Sequence, residues 1–430
     1  MKTVKFYTLG CKINQYDTQS IRERFIQAGF KELEDNQPAN IYVINTCTVT
    51  HKADSDSLNV IRKAKRENPK AGILVTGCLT ELDEDKIEKV GGITLILKNK
   101  DKEKILATSQ TNKGISYFKG HTRAFLKIQD GCNNFCSYCK VPKVRGPSRS
   151  KPLNQIIDEA ARLVKNGFTP LETIGRQEKD KMSLTGFKEI VLCGICLGAY
   201  GRDLKPRINL VDVIEELEKI PGLLRIRLSS IEAGDISDEL IDRIAKSKKL
   251  CPHLHIPFQS GDDEILKKMN RKITFEGYLN LIHRIKARIP EVGITTDVLV
   301  GFPQETEENF QNTIKLIIKV VPLKVHIFPY SPRSGTAASN FKDTLNPVIV
   351  KERILRLREI SRNCSLIYRA EFLNKKMDVL IEARAKENRE YWQGYAGNYI
   401  KVRVKSGLNL KNKLITLRLR KIGEDYIVAS

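Results

Sequence analysis

The 430-residue chain has no stretch near the ~20 consecutive apolar residues that a membrane-crossing helix needs. Its start, MKTVKFYTLGCKINQYD, has no apolar h-region and turns polar within a dozen residues, so no secretory leader is expected. Acidic residues are scarce as well: 51 Asp and Glu stand against 74 Lys and Arg, a net charge of +23. Lacking a span and a leader, the chain reads as cytoplasmic, with no membrane role and with thiols kept reduced. Its ten cysteines are then expected to be metal ligands or core residues, not disulfides. The cationic excess favours an anionic partner such as nucleic acid, unless it reflects only solvated lysine faces.

The length allows two to four domains at about 100–200 residues each. In the first part, strand-like VKFYTLG, NIYVINT, AGILVTG and ITLILK alternate with helix-like QYDTQSIRERFIQAG, DSDSLNVIRKAKREN and DEDKIEKVG. That is the βαβα rhythm of an open parallel sheet. After polar TSQTNKGISYFKGHTR a second series begins, with AFLKIQD, EIVLCG, RIRLSS, HLHIPFQS, GITTDVLVGF and KVHIFPYS as strands between helical patterns. Six such units predict a partial (β/α)6 barrel. PVIVKERILRLREISRNCSLIYRAEF reads as a long basic connecting helix. The last stretch, with KMDVLIEARAK, YWQGYAGNYIKVRV, NKLITLRLRKI and DYIVAS as short strands, predicts a small all-β barrel of the OB type. The expected boundaries are 1–116, 119–345, a helical linker 346–369, and 370–430.

From Leu373 to the end, 13 Lys and Arg outnumber 6 Asp and Glu, with Tyr391, Trp392, Tyr395 and Tyr399 among them. Cations for phosphates and flat rings for bases are what single-stranded RNA binding uses. The same rings could equally fill the core of a small domain.

Cys11, Cys47 and Cys78 each follow one of the first three long strands by one or two residues. In a parallel sheet such strand ends share an edge, where ligands bind. The three thiols therefore either converge on a metal or are three small buried residues. A second trio, Cys132, Cys136 and Cys139 in GCNNFCSYCK, follows the first barrel strand. It lies where barrel active sites lie. Zinc would need a fourth protein ligand, and neither His51 nor His121 has finger-like spacing to the trio. Three cysteines on one loop suit a [4Fe–4S] cluster with one iron left for a small molecule.

CxxxCxxC at the end of a barrel's first strand resembles the radical S-adenosylmethionine (SAM) superfamily, and Tyr138 before the last cysteine fits. YTLGCKINQYDTQ, VINTCTVT, VTGCL, LKIQDGCNNFCSYC, HLHIPFQSG, TTDVLVGFPQET and FPYSPRSGTAA resemble, in order, the methylthiotransferases. The resemblance covers nearly the whole chain. It implies an N-terminal domain in which Cys11, Cys47 and Cys78 hold an auxiliary [4Fe–4S] cluster. It also implies a radical SAM barrel with a cluster on Cys132, Cys136 and Cys139, and a C-terminal TRAM domain that binds RNA.

Three types exist in that family. They act on isopentenyl-adenosine in tRNA, on threonylcarbamoyl-adenosine in tRNA, and on an aspartate of ribosomal protein S12. GCKIN at residues 10–14 resembles the threonylcarbamoyl type; the other two have GCQMN and GCPKN. The activity implied is methylthiolation of C2 of N6-threonylcarbamoyladenosine at position 37. The implied partners are a tRNA anticodon arm, an electron donor such as flavodoxin or ferredoxin, and a sulfur donor. A non-enzymatic iron–sulfur RNA-binding protein is the remote alternative.

Position at the strand ends nominates Tyr138, Gly194, Ser229, Ser230, Gln259, Asp297 and Gly301 for SAM, although each could be a turn residue or a strand cap. Arg145 and Arg149 are expected to add phosphate contacts. Two features depart from the family: Cys193 and Cys196 replace its Thr and Asn, as a redox pair or as two packed thiols, and Thr169–Phe187 reads as a polar surface insertion. His253 and His255 share a strand face and either reach the active site or are structural. Cys251 and Cys364 read as structural.

Overall fold

The computed structural model describes residues 2–34, 37–106, 114–166 and 186–430. The first unit is a five-stranded parallel sheet in the order β2-β1-β3-β4-β5. Its elements are β1 (Thr3–Thr8), α1 (Lys12–Gln27), β2 (Lys31–Glu32), β3 (Ile41–Thr46), α2 (His51–Glu67), β4 (Gly72–Gly77), α3 (Glu84–Glu88) and β5 (Leu95–Ile96). Strands β1, β3 and β4 are neighbours, so the residues that follow them meet on one edge. Helix α2 starts where the Thr50 hydroxyl accepts the Ala53 N–H, a common N-cap.

The second unit carries β6 (Arg123–Lys127), β7 (Gln129–Asp130), α4 (Val141–Arg145), β8 (Arg149–Ser150), α5 (Leu153–Asn166), β9 (Glu189–Cys193) and α6 (Leu210–Glu218). It continues with β10 (Arg225–Leu228), α7 (Asp238–Lys246), β11 (His253–His255), α8 (Asp263–Lys268), α9 (Phe275–Arg288), β12 (Gly293–Val300), α10 (Glu307–Val320) and β13 (Lys324–Pro329). Two three-stranded parallel sheets, β10-β9-β6 and β11-β12-β13, are joined by bridges at Ile226–Leu250 and Ser230–His255. The six expected strands thus form one open barrel wall. Its apolar outer faces and the helices form the largest core, with Ile190, Leu192, Ile226, Leu254 and Ile294 essentially buried.

Helix α11 (Pro347–Ala370) is more than a connector. Leu357 and Cys364 join the barrel core, and the buried Arg369 guanidinium donates to the carbonyls of Gly423, Glu424 and Tyr426. The last unit is a closed barrel of β14 (Lys376–Arg384), β15 (Tyr391–Ala396), β16 (Lys401–Lys405), β17 (Leu414–Ile422) and β18 (Ile427–Ala429). YWQGYAGNYIKVRV, expected as one strand, folds as the β15–β16 antiparallel hairpin. Its turn places Tyr399 at φ +71°. Most of the expected insertion Thr169–Phe187, residues 169–185, lies outside the described residues. Phe187 itself is a core residue.

The two outer units dock at opposite ends of the barrel. At the C-terminal end of its strands, Asp17 of α1 binds Lys127 at 2.5 Å, Lys102 at 2.9 Å and Arg145 at 3.0 Å. There too Arg333 donates to the Thr48 carbonyl and hydroxyl and to Asp54. At the other end, Glu189 faces Arg227 at 2.7 Å, Arg225 at 3.7 Å and Arg123 at 3.9 Å. Those arginines reach on to the C-terminal barrel: Arg225 to the Tyr395 carbonyl, Arg227 to the carbonyls of Ala396 and Gly397.

Candidate active site

The sheet edge brings the first three cysteines together. Gly10, at φ +93°, turns the chain so tightly after β1 that a Cβ there would stand 2.8 Å from Cys47 Sγ. Gly77, at φ +105°, lies against the Thr46 backbone, where a Cβ would fall 2.3 Å from the carbonyl oxygen. Both sites need glycine. Asn14 ties the strand ends by donating to the carbonyls of Leu9 and Thr46 at 2.7 and 2.9 Å. Burial, with the nearby charges of Cys78 and Cys11, pushes the Cys47 thiol up to about 11. A buried Cys47 thiol flanked by two further sulphurs is a site that a cation would relieve.

The second trio sits on a loop pinned at several points. A Cβ at Gly131 would fall 2.0 Å from the Pro147 carbonyl oxygen, and Cys132 N–H donates to Gly146 at 3.1 Å. Ser137 bonds the backbones of Met269 and Ala338. Two backbone N–H groups aim at sulphur: Asn134 at Cys132 and Val141 at Cys139, each at 3.4 Å. Such donors suit thiolates held by iron. Burial pushes Cys139 up to about 12 and raises Cys136, whereas the adjacent Cys196 thiol draws Cys132 down to about 7.

Neither trio gathers its sulphurs within 4.8 Å of one another; among the described residues only His255, Asp297 and His326 bring ligating atoms that close. A tetrahedral zinc ion, at ~2.3 Å from each sulphur, would hold them about 3.8 Å apart. The wider spacing, the all-sulphur donor set and the missing fourth cysteine fit a multi-iron cluster at each trio.

Beside the second trio lies a cavity of about 450 Å³ lined by Asn134, Cys136, Glu232, Asp235, Asn270 and Arg271 among others. Arg271 grips Glu232 through both carboxylate oxygens, at 3.0 and 2.7 Å, and its guanidinium also meets the Cys136 thiol. A cationic and an anionic group next to a cluster can receive a zwitterion. Of these residues the sequence reading named only Cys136 and missed Asn134, Glu232, Asp235, Asn270 and Arg271. Glu232 and Asp235 were findable, because they continue the β10 strand end that nominated Ser229 and Ser230. Nothing local marks Asn270 and Arg271.

The nominated SAM residues scatter. Asp297 lies within the barrel, its carboxylate 3.2 Å from His255 Nε2. Ser230 bridges to His255, and the Ser229 hydroxyl is buried with no hydrogen-bond partner among the described residues. Gly194 approaches Gln129 Oε1 so closely that a Cβ would stand at 2.9 Å. Gln259, at φ +66°, pairs its backbone with Asp297 and Leu299. Tyr138 packs on Ile265, Met269, Phe302 and Ala338. Gly301 is a turn residue: its N–H donates to the Glu305 carboxylate and it abuts Val350 of α11. Cys193 and Cys196 do not act as a pair. Cys193 donates to the Val191 carbonyl, whereas Cys196 faces Cys132, Asn134 and Asp235.

Four of the RNA-binding expectations are corrected. Arg145 is buried on Asp17 and Asp130. Tyr399 stacks on His253 at 4.5 Å and on Tyr395 at 4.8 Å, with Arg123 over both rings and Arg227 over Tyr399. Trp392 is in the core with Arg384 on its face. The interleaved rings and cations plug the barrel's lower end and fill a small core. Arg149 is exposed and Tyr391 half-buried. His253 is buried and bonds Thr295, while His255 belongs to the interior cluster. Cys251 and Cys364 are buried.

The Radical SAM superfamily profile matches residues 126–317, and that of Uncharacterized protein family UPF0004 matches residues 3–97. The threonylcarbamoyladenosine tRNA methylthiotransferase MtaB of Bacillus subtilis is 37% identical over 99% of this chain and 95% of that protein. Its Thermotoga maritima namesake is 32% identical over 100% and 97%. The tRNA-2-methylthio-N(6)-dimethylallyladenosine synthase of Acetivibrio thermocellus is 32% identical over 96% and 88%. Among solved structures, the radical S-adenosylmethionine methyltransferase TsrM of Kitasatospora setae shares the fold, with a TM-score of 0.50 at 12% identity, over 76% of this chain and 75% of that one. With identity above 30% sustained from end to end, and with each cysteine trio at the place the resemblance requires, the chain belongs to the radical SAM methylthiotransferase family.

Proposed function

We propose that this chain methylthiolates C2 of N6-threonylcarbamoyladenosine at position 37 of tRNA. The observation that carries the reading is the presence of two three-cysteine sites at one end of a barrel, in a chain alike throughout to tRNA methylthiotransferases. Cys11, Cys47 and Cys78 would hold the auxiliary [4Fe–4S] cluster; Cys132, Cys136 and Cys139 would hold the second. The clusters and SAM, when bound, supply the radical chemistry that an adenine C–H bond needs.

The chain's own residues do the positioning. The Asp17 and Arg333 contacts seat the N-terminal unit on the barrel mouth, where both sites would border one space. Arg271 and Glu232 offer opposite charges to a zwitterionic ligand beside Cys136. Residues 1–116 act as the auxiliary-cluster domain, 119–345 as the radical SAM core, 346–369 as the linker and 370–430 as the RNA-binding domain. With Tyr395, Tyr399 and Arg145 committed elsewhere, Arg149, Tyr391 and the remaining basic surface would meet the anticodon arm through phosphate contacts. An electron donor such as flavodoxin or ferredoxin and a sulfur donor complete the reaction. No helix among the described residues is long and apolar enough to cross a membrane, which supports a cytoplasmic location.

The test is nucleoside mass spectrometry of tRNA from a host lacking the activity, with and without this gene. The 2-methylthio derivative of threonylcarbamoyladenosine is expected only with the gene. Appearance of the dimethylallyl product alone would reassign the substrate, and added mass on ribosomal protein S12 alone would remove tRNA.

A further inference from the structure

Strands β11, β12 and β13 lie side by side in parallel, and side chains along each alternate between two faces. Leu254, Ile294, Val298 and Val325 turn outward into the core under the helices. His255, Thr295, Asp297 and His326 stand on the opposite face of the same strands, which lines the barrel interior. The register makes them neighbours: His255 is level with Thr295, and Asp297 with His326. Two imidazoles and one carboxylate, each from a different strand, therefore share one patch of the wall.

The distances match that placement. His255 Nε2 stands 3.2 Å from an Asp297 carboxylate oxygen. The His255 and His326 ring centroids are 5.7 Å apart, and one ligating atom from each of the three residues lies within 4.8 Å of the other two. Two ligands held at ~2.1 Å by one ion are about 3.0 Å apart in octahedral and about 3.4 Å apart in tetrahedral geometry. The His255–Asp297 separation already falls in that interval. His326 has to close in by about 1–2 Å at most, which its side-chain torsions supply.

A histidine–carboxylate pair by itself is an ordinary hydrogen bond. Here a second imidazole converges on it, and Thr295 adds the outer partner that orients a metal-bound histidine. The Thr295 hydroxyl lies 2.9 Å from His255 Nδ1 and 3.1 Å from His253 Nε2. A hydroxyl both donates and accepts. It can donate to His255 Nδ1 while Nε2–H bonds Asp297. By rotating, it can instead accept from Nδ1–H, which frees the Nε2 lone pair for an ion.

We propose that His255, Asp297 and His326 form a site for one divalent transition-metal ion of the zinc or ferrous class. Two imidazoles and a carboxylate suit those ions, whereas calcium and magnesium take oxygen ligands. Three protein ligands leave at least one coordination position open to the barrel interior, for water or for an oxygen of a bound molecule. The site uses none of the six cluster cysteines, and it does not depend on which adenosine is the substrate.

The experiment dialyses the reconstituted holoenzyme anaerobically against chelator-buffered zinc and counts zinc and iron in the same samples by mass spectrometry. Wild type is expected to gain one zinc per chain with its iron unchanged. Asp297→Asn and His326→Gln should each lose that zinc, and Thr295→Val should weaken its binding by about 10- to 100-fold. All three variants should keep the wild-type iron content and circular dichroism. Zinc-edge X-ray absorption of the wild-type protein reads the site without any variant: nitrogen and oxygen ligands with imidazole scattering are expected, and no sulphur shell at ~2.3 Å. No bound zinc, zinc retained by both ligand variants, or a sulphur shell would overturn the proposal without touching the proposed function.

Discussion

The barrel is gripped at both ends by one buried carboxylate among three cations, and the two grips differ in what they leave over. At the lower end Glu189 gathers Arg123, Arg225 and Arg227, and the arginines spend their other donors on hairpin carbonyls and tyrosine faces. At the upper end Asp17 gathers Lys102, Lys127 and Arg145, yet Cys136 and the Glu232–Arg271 pair still line an open cavity. The lower end is a closed joint. The upper end is a joint built around a site, with polar groups held in place and not used up.

The largest break in that comparison comes from the cysteines. Replacing any of Cys132, Cys136 or Cys139 by Ala should abolish methylthio product and lower iron from about eight to about four per chain. The same change at Cys11, Cys47 or Cys78 should also abolish product and remove the other half of the iron, as colorimetric assay would read. No cysteine replacement should free the C-terminal barrel, which limited proteolysis would reveal.

Next come the two carboxylates. Glu189→Gln and Asp17→Asn should each cost about 3–5 kcal/mol in denaturant unfolding, because buried cations lose their partner. They should differ in function. Glu189→Gln should keep nearly full turnover per folded enzyme, whereas Asp17→Asn should lose turnover as the N-terminal unit loosens over the mouth. Equal turnover in both variants would erase the distinction between joint and site.

A smaller effect is a pH dependence within the barrel. Burial, then Lys324, hold His326 near 4, below the ~6.5 of an unfolded histidine. Its contribution to stability is fully present above about pH 6.5 and is lost as pH falls towards 4, since the unfolded chain binds the proton first. His326→Gln should flatten the stability curve over that window, and a slope unchanged by the substitution would contradict the assignment.

The smallest expected change is at Cys196. Its thiol draws Cys132 down to about 7, so Cys196→Ala should raise Cys132 towards an ordinary thiol value. In the cluster-free protein, the pH profile of Cys132 alkylation, read by peptide mass spectrometry, should move upward by up to about 2 units.

Much of the fold and of the cluster sites was readable because the signals are local or fixed by simple topology. Cys132, Cys136 and Cys139 lie on one loop. Cys11, Cys47 and Cys78 are far apart in sequence, but parallel strands that end alike place them on one edge. What failed was the reading of Tyr395, Tyr399 and Trp392. Rings interleaved with cations look the same whether the rings receive RNA bases or the protein's own arginines, and the deciding partners, Arg123, Arg227 and His253, lie more than a hundred residues away from Tyr399. Arg145 failed likewise, since Asp17 belongs to another unit.

The sequence by itself determined the strand and helix rhythm, the six cluster cysteines and the family, because each depends on periodicity, spacing or matched motifs. Only the tertiary structure decided which charges are consumed and which remain. Ion pairing depends on distances between chain segments that sequence separation does not report, so Glu189 emerged as the centre of the closed lower joint and Arg145 as part of the joint around the site.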